Sequence, residues 1–396
     1  MRPIALAMGG LLATLAHAQD NSWEQIRKGV LAHPGLEHAR KMLEERKSEG
    51  QWAGRLPAPR VELELENFAG SGSAAGLGGS SFGLWAGSDY RLGDVREREK
   101  ELAAAEVAIQ ALDTLRARRE LLVAARGVWD RWRQERWRAG LLDSLGSQAD
   151  ALADQLEKGR KVGRIAPWEV SVARAESARW RMNAQAHRHN ATVQWRRLAA
   201  WGAGVEEPGW APAPAIDSTN IVGNPALDSM VLEAERTRAR VQAALLQAQD
   251  LPVVSGAVGV LRDQSNGDVG LGVRVSLPLG PWKRTGIETA RARHQAAALE
   301  RSIGLAVRER ENRRIGLQGE WMAALAGLRS WESQVIPARE SGLNLVEVSH
   351  AAGAVDASAV WAVRKELWEA RIERLERSIR VQEIQRELKI LEGTEP

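Results

Sequence analysis

Three carboxylates stand at every second position of Val61-Glu62-Leu63-Glu64-Leu65-Glu66. In an extended strand Glu62, Glu64 and Glu66 therefore share one face, and Val61, Leu63 and Leu65 the other. Lining a water-filled passage, such a row attracts cations; read more simply it is ordinary polar lining, and the sequence leaves both readings open. The alternation recurs over 269–279, where Gly270, Gly272, Arg274 and Ser276 oppose Val269, Leu271, Val273, Val275, Leu277 and Leu279. His187 and His189 come nearest to a metal pair, but two residues apart on a helix they point to different sides, so surface histidines are expected. The run Gly70-Ser71-Gly72-Ser73-Ala74-Ala75-Gly76 follows a strand as a dinucleotide loop would. A parallel strand of that fold is buried on both faces, and Glu62, Glu64 and Glu66 would put charges into its core, so a surface loop is expected instead. The absence of cysteine removes disulfides, Cys-type zinc sites and thiol nucleophiles. No nucleophile, base or metal set stands at workable spacing, so the expectation is no enzyme, no cofactor and no metal site.

The elements that must carry these residues are mostly helical. No proline occurs between Arg60 and Ala166, and beyond Asp94 the composition is rich in Ala, Leu, Glu, Arg and Gln. Helical spacing of Leu115, Leu122, Ala125, Trp129, Trp132, Leu141, Leu145, Leu152 and Leu156 predicts one helix over 94–158, roughly 100 Å long. A second long helix is expected over 284–348, with Leu299, Ile303, Ala306, Trp321, Leu325 and Leu328 on its stripe and a kink or loosening at Pro337. Shorter helices over 167–200 and 356–391 follow through turns at Gly163 and Gly353, giving antiparallel helical hairpins. Between the helices lie two β-hairpins, over 60–92 and 253–279, the latter turning around Asn266-Gly267.

This order occurs twice. His33-Pro34-Gly35-Leu36 matches Asn224-Pro225-Ala226-Leu227 at an offset of 191, Leu92-Gly93 matches Leu279-Gly280 at 187, and Gly163 matches Gly353 at 190. Two repeats are expected, 19–201 and 224–396, joined by a linker over 202–223 that holds Pro208, Pro212 and Pro214. Residues 1–18 read as a signal peptide: Arg2, an apolar run from Ile4 to Leu15, then Ala16-His17-Ala18. The chain is thus expected to be exported. Its net charge of +4 is a small remainder of 55 basic and 51 acidic side chains, which is no nucleic-acid footprint. Beyond the leader there is no apolar stretch of about 18 residues, which excludes a membrane-spanning helix but not a β-barrel of short alternating strands.

Four such strands cannot close a barrel alone. An open edge in lipid leaves backbone groups unpaired at several kcal/mol each, so several copies must share one barrel; three would supply twelve strands. The helices would then continue the barrel as a hollow cylinder. In this arrangement the chain resembles the TolC family of outer-membrane efflux channels, and within it the outer-membrane component of cobalt-zinc-cadmium efflux systems. The resemblance covers essentially the whole mature chain. It rests on Asn224-Pro225-Ala226-Leu227 opening the second repeat, on Leu56-Pro57 and Leu251-Pro252 before the first strand of each hairpin, and on Leu277-Pro278-Leu279 after the last strand. The subgroup rests on Glu62 through Asn67-Phe68 followed by Gly70-Ser71-Gly72, and on Ile336-Pro337.

The resemblance implies a mainly α fold with a small β part: a homotrimer in outer-membrane lipid, with a twelve-strand β-barrel continued by an α-barrel into the periplasm. It implies a passive exit duct for a tripartite pump, whose inner-membrane transporter of the resistance-nodulation-division class supplies the energy, with heavy-metal cations as cargo. A periplasmic adaptor would dock on the helical turns, here Gly163-Arg164-Ile165 and Gly353-Ala354-Val355. Glu62, Glu64, Glu66, Arg274 and Ser276 would face the lumen. Where some relatives close the periplasmic mouth with aspartates, this chain has Ala359 and Ala362, and Asp356 reads as a helix N-cap; Arg164 is the alternative candidate for closing the mouth. Trp85, Tyr90 and Trp282 read either as interfacial anchors or as core, and Trp129, Trp132, Trp137, Trp180 and Trp195 as helix packing. An exported coiled-coil scaffold or adaptor would share the helices, leader and missing cysteines, but would not need the alternating strands.

Overall fold

The computed structural model describes residues 23–66, 80–163, 165–203, 207, 227–263, 267–277 and 285–392. The expected leader, the glycine-serine run over 70–79 expected as a surface loop, Arg164, nearly all of the expected linker, Asn224-Pro225-Ala226 and Trp282 lie outside them. In chain order come helix α1 (23–31), α2 (Pro34–Trp52), strands β1 (Arg60–Glu66) and β2 (Ser81–Arg91), α3 (Val95–Lys161) and α4 (Pro167–Leu198). Then follow α5 (Leu227–Gln249), β3 (Val253–Asp263), β4 (Val269–Ser276), α6 (Gly286–Ser330), α7 (Ile336–Ala351) and α8 (Ala357–Leu391). The fold is mainly helical with one small antiparallel sheet, in the order β1-β2-β3-β4. Among the described residues no helix is long and apolar enough to cross a membrane.

Helix α3 runs unbroken for 67 residues. Its exposed flank is laced by pairs three and four residues apart, such as Lys100 with Glu97, Arg116 with Glu120 and Arg160 with Glu157. The second long helix, expected over 284–348, is divided: a π-helical turn over Trp331–Val335 separates α6 from α7. Pro337 is the cause, because it lacks an N–H and its ring crowds the carbonyl four residues back; the Ile336 N–H reaches instead to the Trp331 carbonyl, a wider turn.

The chain forms two compact units, each drawing residues from both halves of the sequence. One holds Ala39–Thr114 and Leu227–Val307 and contains the sheet. Here Val95 at the start of α3 packs with Leu245 and Ala248 of α5, and Thr285 fastens the start of α6 to α5 by donating from its N–H to Asp250 Oδ1 (3.0 Å) and from its hydroxyl to the Leu246 carbonyl (2.8 Å).

The other unit is helical and includes α4, α7, α8 and the parts of α3 and α6 from Leu115 and Arg308 onward. Its largest core gathers Ile26 and Val30 of α1, Leu122, Ala125, Trp129 and Trp132 of α3, and Ala191, Trp195 and Leu198 of α4. Trp129, Trp132 and Trp195 lie with ring centroids 4.8–6.1 Å apart, and Trp23 stands 6.1 Å from Trp129, so several of the tryptophans form one tilted stack. A second core packs Leu142, Leu145 and Ala149 against Trp180, Ala184 and Trp368, and a third packs Leu152, Ala153 and Leu156 against Val170 and Ala173. The stripe read from α3 is therefore its buried face, except that Leu115 is exposed at 49% and Leu141 only partly covered. The stripe of α6 fares differently: Leu328 is buried, but Leu299, Ile303, Ala306, Trp321 and Leu325 are only partly covered.

Between α3, α4 and α8 lies a polar knot. Arg138 donates to both oxygens of Glu376 at 2.8 Å and to Glu135 Oε1 at 3.1 Å, while His187 Nδ1 meets Glu135 Oε2 at 2.8 Å. His187 is thus hydrogen-bonded to Glu135 within this knot rather than a free surface histidine. The fork from Arg138 holds the Glu376 carboxyl below the usual glutamate range, and Glu376 in turn raises Arg138.

Two outcomes are expected. Trp129→Ala removes the centre of the tryptophan stack and should lower unfolding free energy in chemical denaturation by about 3–5 kcal/mol. The Glu376 carboxyl is depressed, so its contribution is fully present above the unfolded value near 4.3 and is lost as pH falls through the lower folded value. Glu376→Gln should therefore flatten the acid limb of the stability curve and leave its slope near neutrality unchanged.

Candidate functional site

The register fixes which side chains share a face. Val61, Leu63 and Leu65 pair with Ala86, Leu84 and Phe82; Leu84 and Ala86 pair with Val260 and Val258; and these pair with Leu271 and Val273. This face is apolar from edge to edge and lies open, with Leu63 at 76% exposure, Val258 at 60% and Leu271 at 90%. A contiguous exposed apolar face is the mark of a surface built to meet lipid or another protein. The reverse face carries Glu62, Glu64 and Glu66 on β1, Gly83, Trp85 and Gly87 on β2, Ala257, Gly259 and Leu261 on β3, and Gly270, Gly272, Arg274 and Ser276 on β4. All five residues expected on the polar side thus share one face.

On that face a single aromatic dominates. The Trp85 ring lies over Gly83, Gly259 and Gly272, so closely that a β-carbon on any of the three would stand 2.6–2.7 Å from a ring atom. Its Nε1–H donates to Glu64 Oε2 at 2.7 Å, the Arg274 guanidinium stacks 4.3 Å above it, and Arg274 and Glu64 form an ion pair. Trp85 is 5% exposed and faces away from Tyr90, so its reading as an interfacial anchor is corrected: it is a wedge in the glycine face.

The ion pair also reports on shape. Glu64 is three strand spacings and four residues of stagger away from Arg274, through Gly83, Leu261 and Gly270. On a flat sheet their Cα atoms would lie about 20 Å apart, beyond the joint reach of the two side chains. Contact requires a sheet that curls toward its glycine face, which the missing side chains permit and the twist promotes. The pair also neutralises one of the three glutamates, leaving Glu62 and Glu66 as the unmatched acids of β1 among the five.

The two helical turns share one backbone design. Gly163 and Gly353 both have φ near +77°, the left-handed geometry that ends a helix without a β-carbon clash. The Gly353 N–H bonds the His350 carbonyl (2.9 Å) and the Ala354 N–H the Ser349 carbonyl (2.9 Å), while the Gly163 N–H bonds the Arg160 carbonyl (3.0 Å). Ile165 folds back onto Gly159 and the core of Leu152 and Val170, whereas Ala354 is exposed. The Val355 carbonyl accepts from His350 Nδ1 at 2.9 Å. Asp356 caps α8: Oδ1 accepts from the Ser358 hydroxyl (2.8 Å) and from the Ala359 N–H (3.0 Å), and these bonds, the hydroxyl first, hold its carboxyl below the usual range. Trp168, at 59% exposure, and Val162, at 68%, flank the first turn. The sequence reading did not single them out, and only their apolar type beside a helix end could have signalled them.

The Trp85, Glu64 and Arg274 cluster was likewise missed as a unit. Its signal lay in Gly83 and Gly87 two residues either side of Trp85 on β2, and in Gly270 and Gly272 at alternate positions of β4. Among the described residues there is no group of three or more His, Cys, Asp or Glu side chains placed to hold a metal ion. If the wedge sets the curl, Gly259→Val should expel the ring and destabilise the sheet by about 1–3 kcal/mol, read as a lower melting temperature, whereas Gly256→Ala, which meets open space, should be neutral.

No family model and no curated protein matches this sequence. Solved structures do match. The outer membrane protein VceC of Vibrio cholerae is 16% identical with a TM-score of 0.72, over 96% of each chain. The outer-membrane channel OprN is 16% identical at 0.73, covering 95% of this chain and 90% of its own. CusC, described in connection with transmembrane channel formation, is 15% identical at 0.68, covering 94% and 92%. The chain therefore has the fold of these outer-membrane channels, the fold that its resemblance to the TolC family implied.

Proposed function

We propose that this chain is the outer-membrane exit duct of a tripartite efflux system. The observation that carries the reading is the sheet: among the described residues it has two open edges, one exposed apolar face and one face of glycine and charge. Three copies paired edge to edge would close twelve strands around a wet lumen and present the apolar faces to lipid. Glu62, Glu64, Glu66, Arg274 and Ser276 would line that lumen. The helices would carry the passage into the periplasm, where the turns at Gly163-Arg164-Ile165 and Gly353-Ala354-Val355 meet an adaptor joined to an inner-membrane resistance-nodulation-division transporter. The duct is passive and no enzyme. Heavy-metal cations are the cargo favoured by the sequence resemblance to cobalt-zinc-cadmium systems.

Outer-membrane fractionation followed by native mass determination is the direct test. The expected species is a trimer of roughly 125 kDa, three chains of 43.4 kDa less their leaders. A soluble periplasmic monomer or dimer would instead favour a coiled-coil scaffold. Loss of the gene should sensitise cells to zinc, cobalt, cadmium or copper more than to a drug panel; the reverse pattern would reassign the cargo and leave the duct standing. Arg164→Ala should raise single-channel conductance in bilayers if Arg164 helps close the periplasmic mouth, and an unchanged conductance would remove it from that role.

A further inference from the structure

At the end of the sheet nearest the helices the exposed surface changes character. Trp52 closes α2 at 66% exposure, Leu56 precedes β1 at 60%, Tyr90 ends the apolar row of β2 at 54%, and Leu251 and Leu277 flank β3 and β4 at 45% and 48%. Two of these carry a cation. The Arg55 guanidinium stacks 3.7 Å from the Trp52 ring and the Arg96 guanidinium 4.8 Å from the Tyr90 ring. Neither arginine has an ion pair among the described residues, and Arg55 uses only its Nε, donating to the Gln51 carbonyl at 3.2 Å.

The elements that carry the two pairs touch. Gly54, at φ +66°, presses so closely on the first turn of α3 that a β-carbon there would stand 2.6 Å from the Arg96 carbonyl oxygen and 2.9 Å from Lys100 Cγ. The turn bearing Trp52 and Arg55 is thereby seated against the residue whose guanidinium covers Tyr90. The Tyr90 pair also continues the apolar face, because Tyr90 stands in the row of Phe82, Leu84, Ala86 and Ser88 and pairs with Val254.

A guanidinium stacked on a ring keeps its in-plane N–H groups pointing outward, a fork that matches two oxygens of a phosphate. Aromatic rings of mixed polarity settle at headgroup depth, and acyl chains continue from there along an apolar sheet face. We propose that Arg55 and Arg96, mounted on Trp52 and Tyr90, form a binding site for the phosphodiester headgroup of a membrane phospholipid. The inference rests on the reading of the apolar face as lipid-facing, and it adds a specific polar site at the rim of that face.

The test uses the full-length protein extracted from the outer membrane in a non-ionic detergent and titrated with phosphatidylglycerol under native mass spectrometry. The comparison ligands are a diacylglycerol of the same chains and glycerol phosphate, each supplying half of the lipid. Wild type should retain phosphatidylglycerol over diacylglycerol, and R55Q/R96Q should bind it about tenfold more weakly or worse while keeping the wild-type oligomer and melting temperature. Lys47→Gln, an exposed charge on α2 paired with Glu44, should bind as wild type. Should the double variant be unstable, R55K and R96K keep the charge, lose the fork and should each weaken binding severalfold. Equal binding by the arginine variants, equal retention of diacylglycerol, or glycerol phosphate binding as well as the lipid would each overturn the site. Dissociation of the R55Q/R96Q oligomer with lipid retained would also overturn it, assigning the arginines to a carboxylate of a second copy. A protein absent from the outer membrane would instead fail the duct reading, so the two failures are distinct.

Discussion

A four-stranded antiparallel sheet ends in two rows of unpaired N–H and C=O groups, and among the described residues those rows belong to β1 and β4, on either side of an exposed apolar face. In water the face is the unfavourable feature; in lipid the edges are, at several kcal/mol for each unsatisfied group. No arrangement of one copy relieves both. Edge-to-edge pairing with further copies does, because it pairs the backbone and leaves the apolar faces on the outside. The proposed trimer is thus an answer to a defect visible in a single sheet, and it does not depend on identifying any cargo.

The glycine face makes such closure geometrically feasible. Gly83, Gly259 and Gly272 remove the side chains that would collide on the concave side, and Trp85 fills the space they leave. Its contacts with Glu64 and Arg274 tie the first strand to the fourth across the two between. One tryptophan therefore couples curvature to charge: the residues that allow the bend also cancel an acid and a base that would otherwise stand free. Of Glu62, Glu64, Glu66, Arg274 and Ser276, Glu62 and Glu66 then keep an uncancelled charge on this face, on the proposed reading a lumen.

Much of this was legible from residue order. The long α3 helix followed from its composition and its apolar period, and the two strand faces from strict alternation, because both signals are local and repeat many times. What escaped depended on neighbours distant in sequence. Trp85 alone reads equally as anchor or core, and only the register, which sets it opposite Gly259, decides. His187 looked like a surface residue until Glu135, 52 positions away on another helix, came within 2.8 Å. The stripe of α6 was drawn with the same rule as that of α3, yet it is only partly covered. Periodicity says that a face is apolar and does not say which molecule covers it.

The two helical turns show how one backbone solution can carry different surfaces. Both end their first helix on a left-handed glycine, which fixes the fold of the turn and constrains little else. After it, α4 opens on Pro167, which needs no N–H partner at that position, while α8 opens on Asp356, whose carboxylate is already engaged by Ser358 and Ala359. An acid spent on capping is poorly suited to repel its copies around a closed mouth, since moving it would uncap α8. The first turn instead offers exposed Val162 and Trp168, a large apolar surface held at the end of a rigid hairpin. If a partner docks here, as the proposed function requires, the first turn supplies the larger apolar anchor, while the second offers mostly the small side chains of Ala351, Ala352 and Ala354; the two turns would then be equivalent in backbone and unequal in what they recognise.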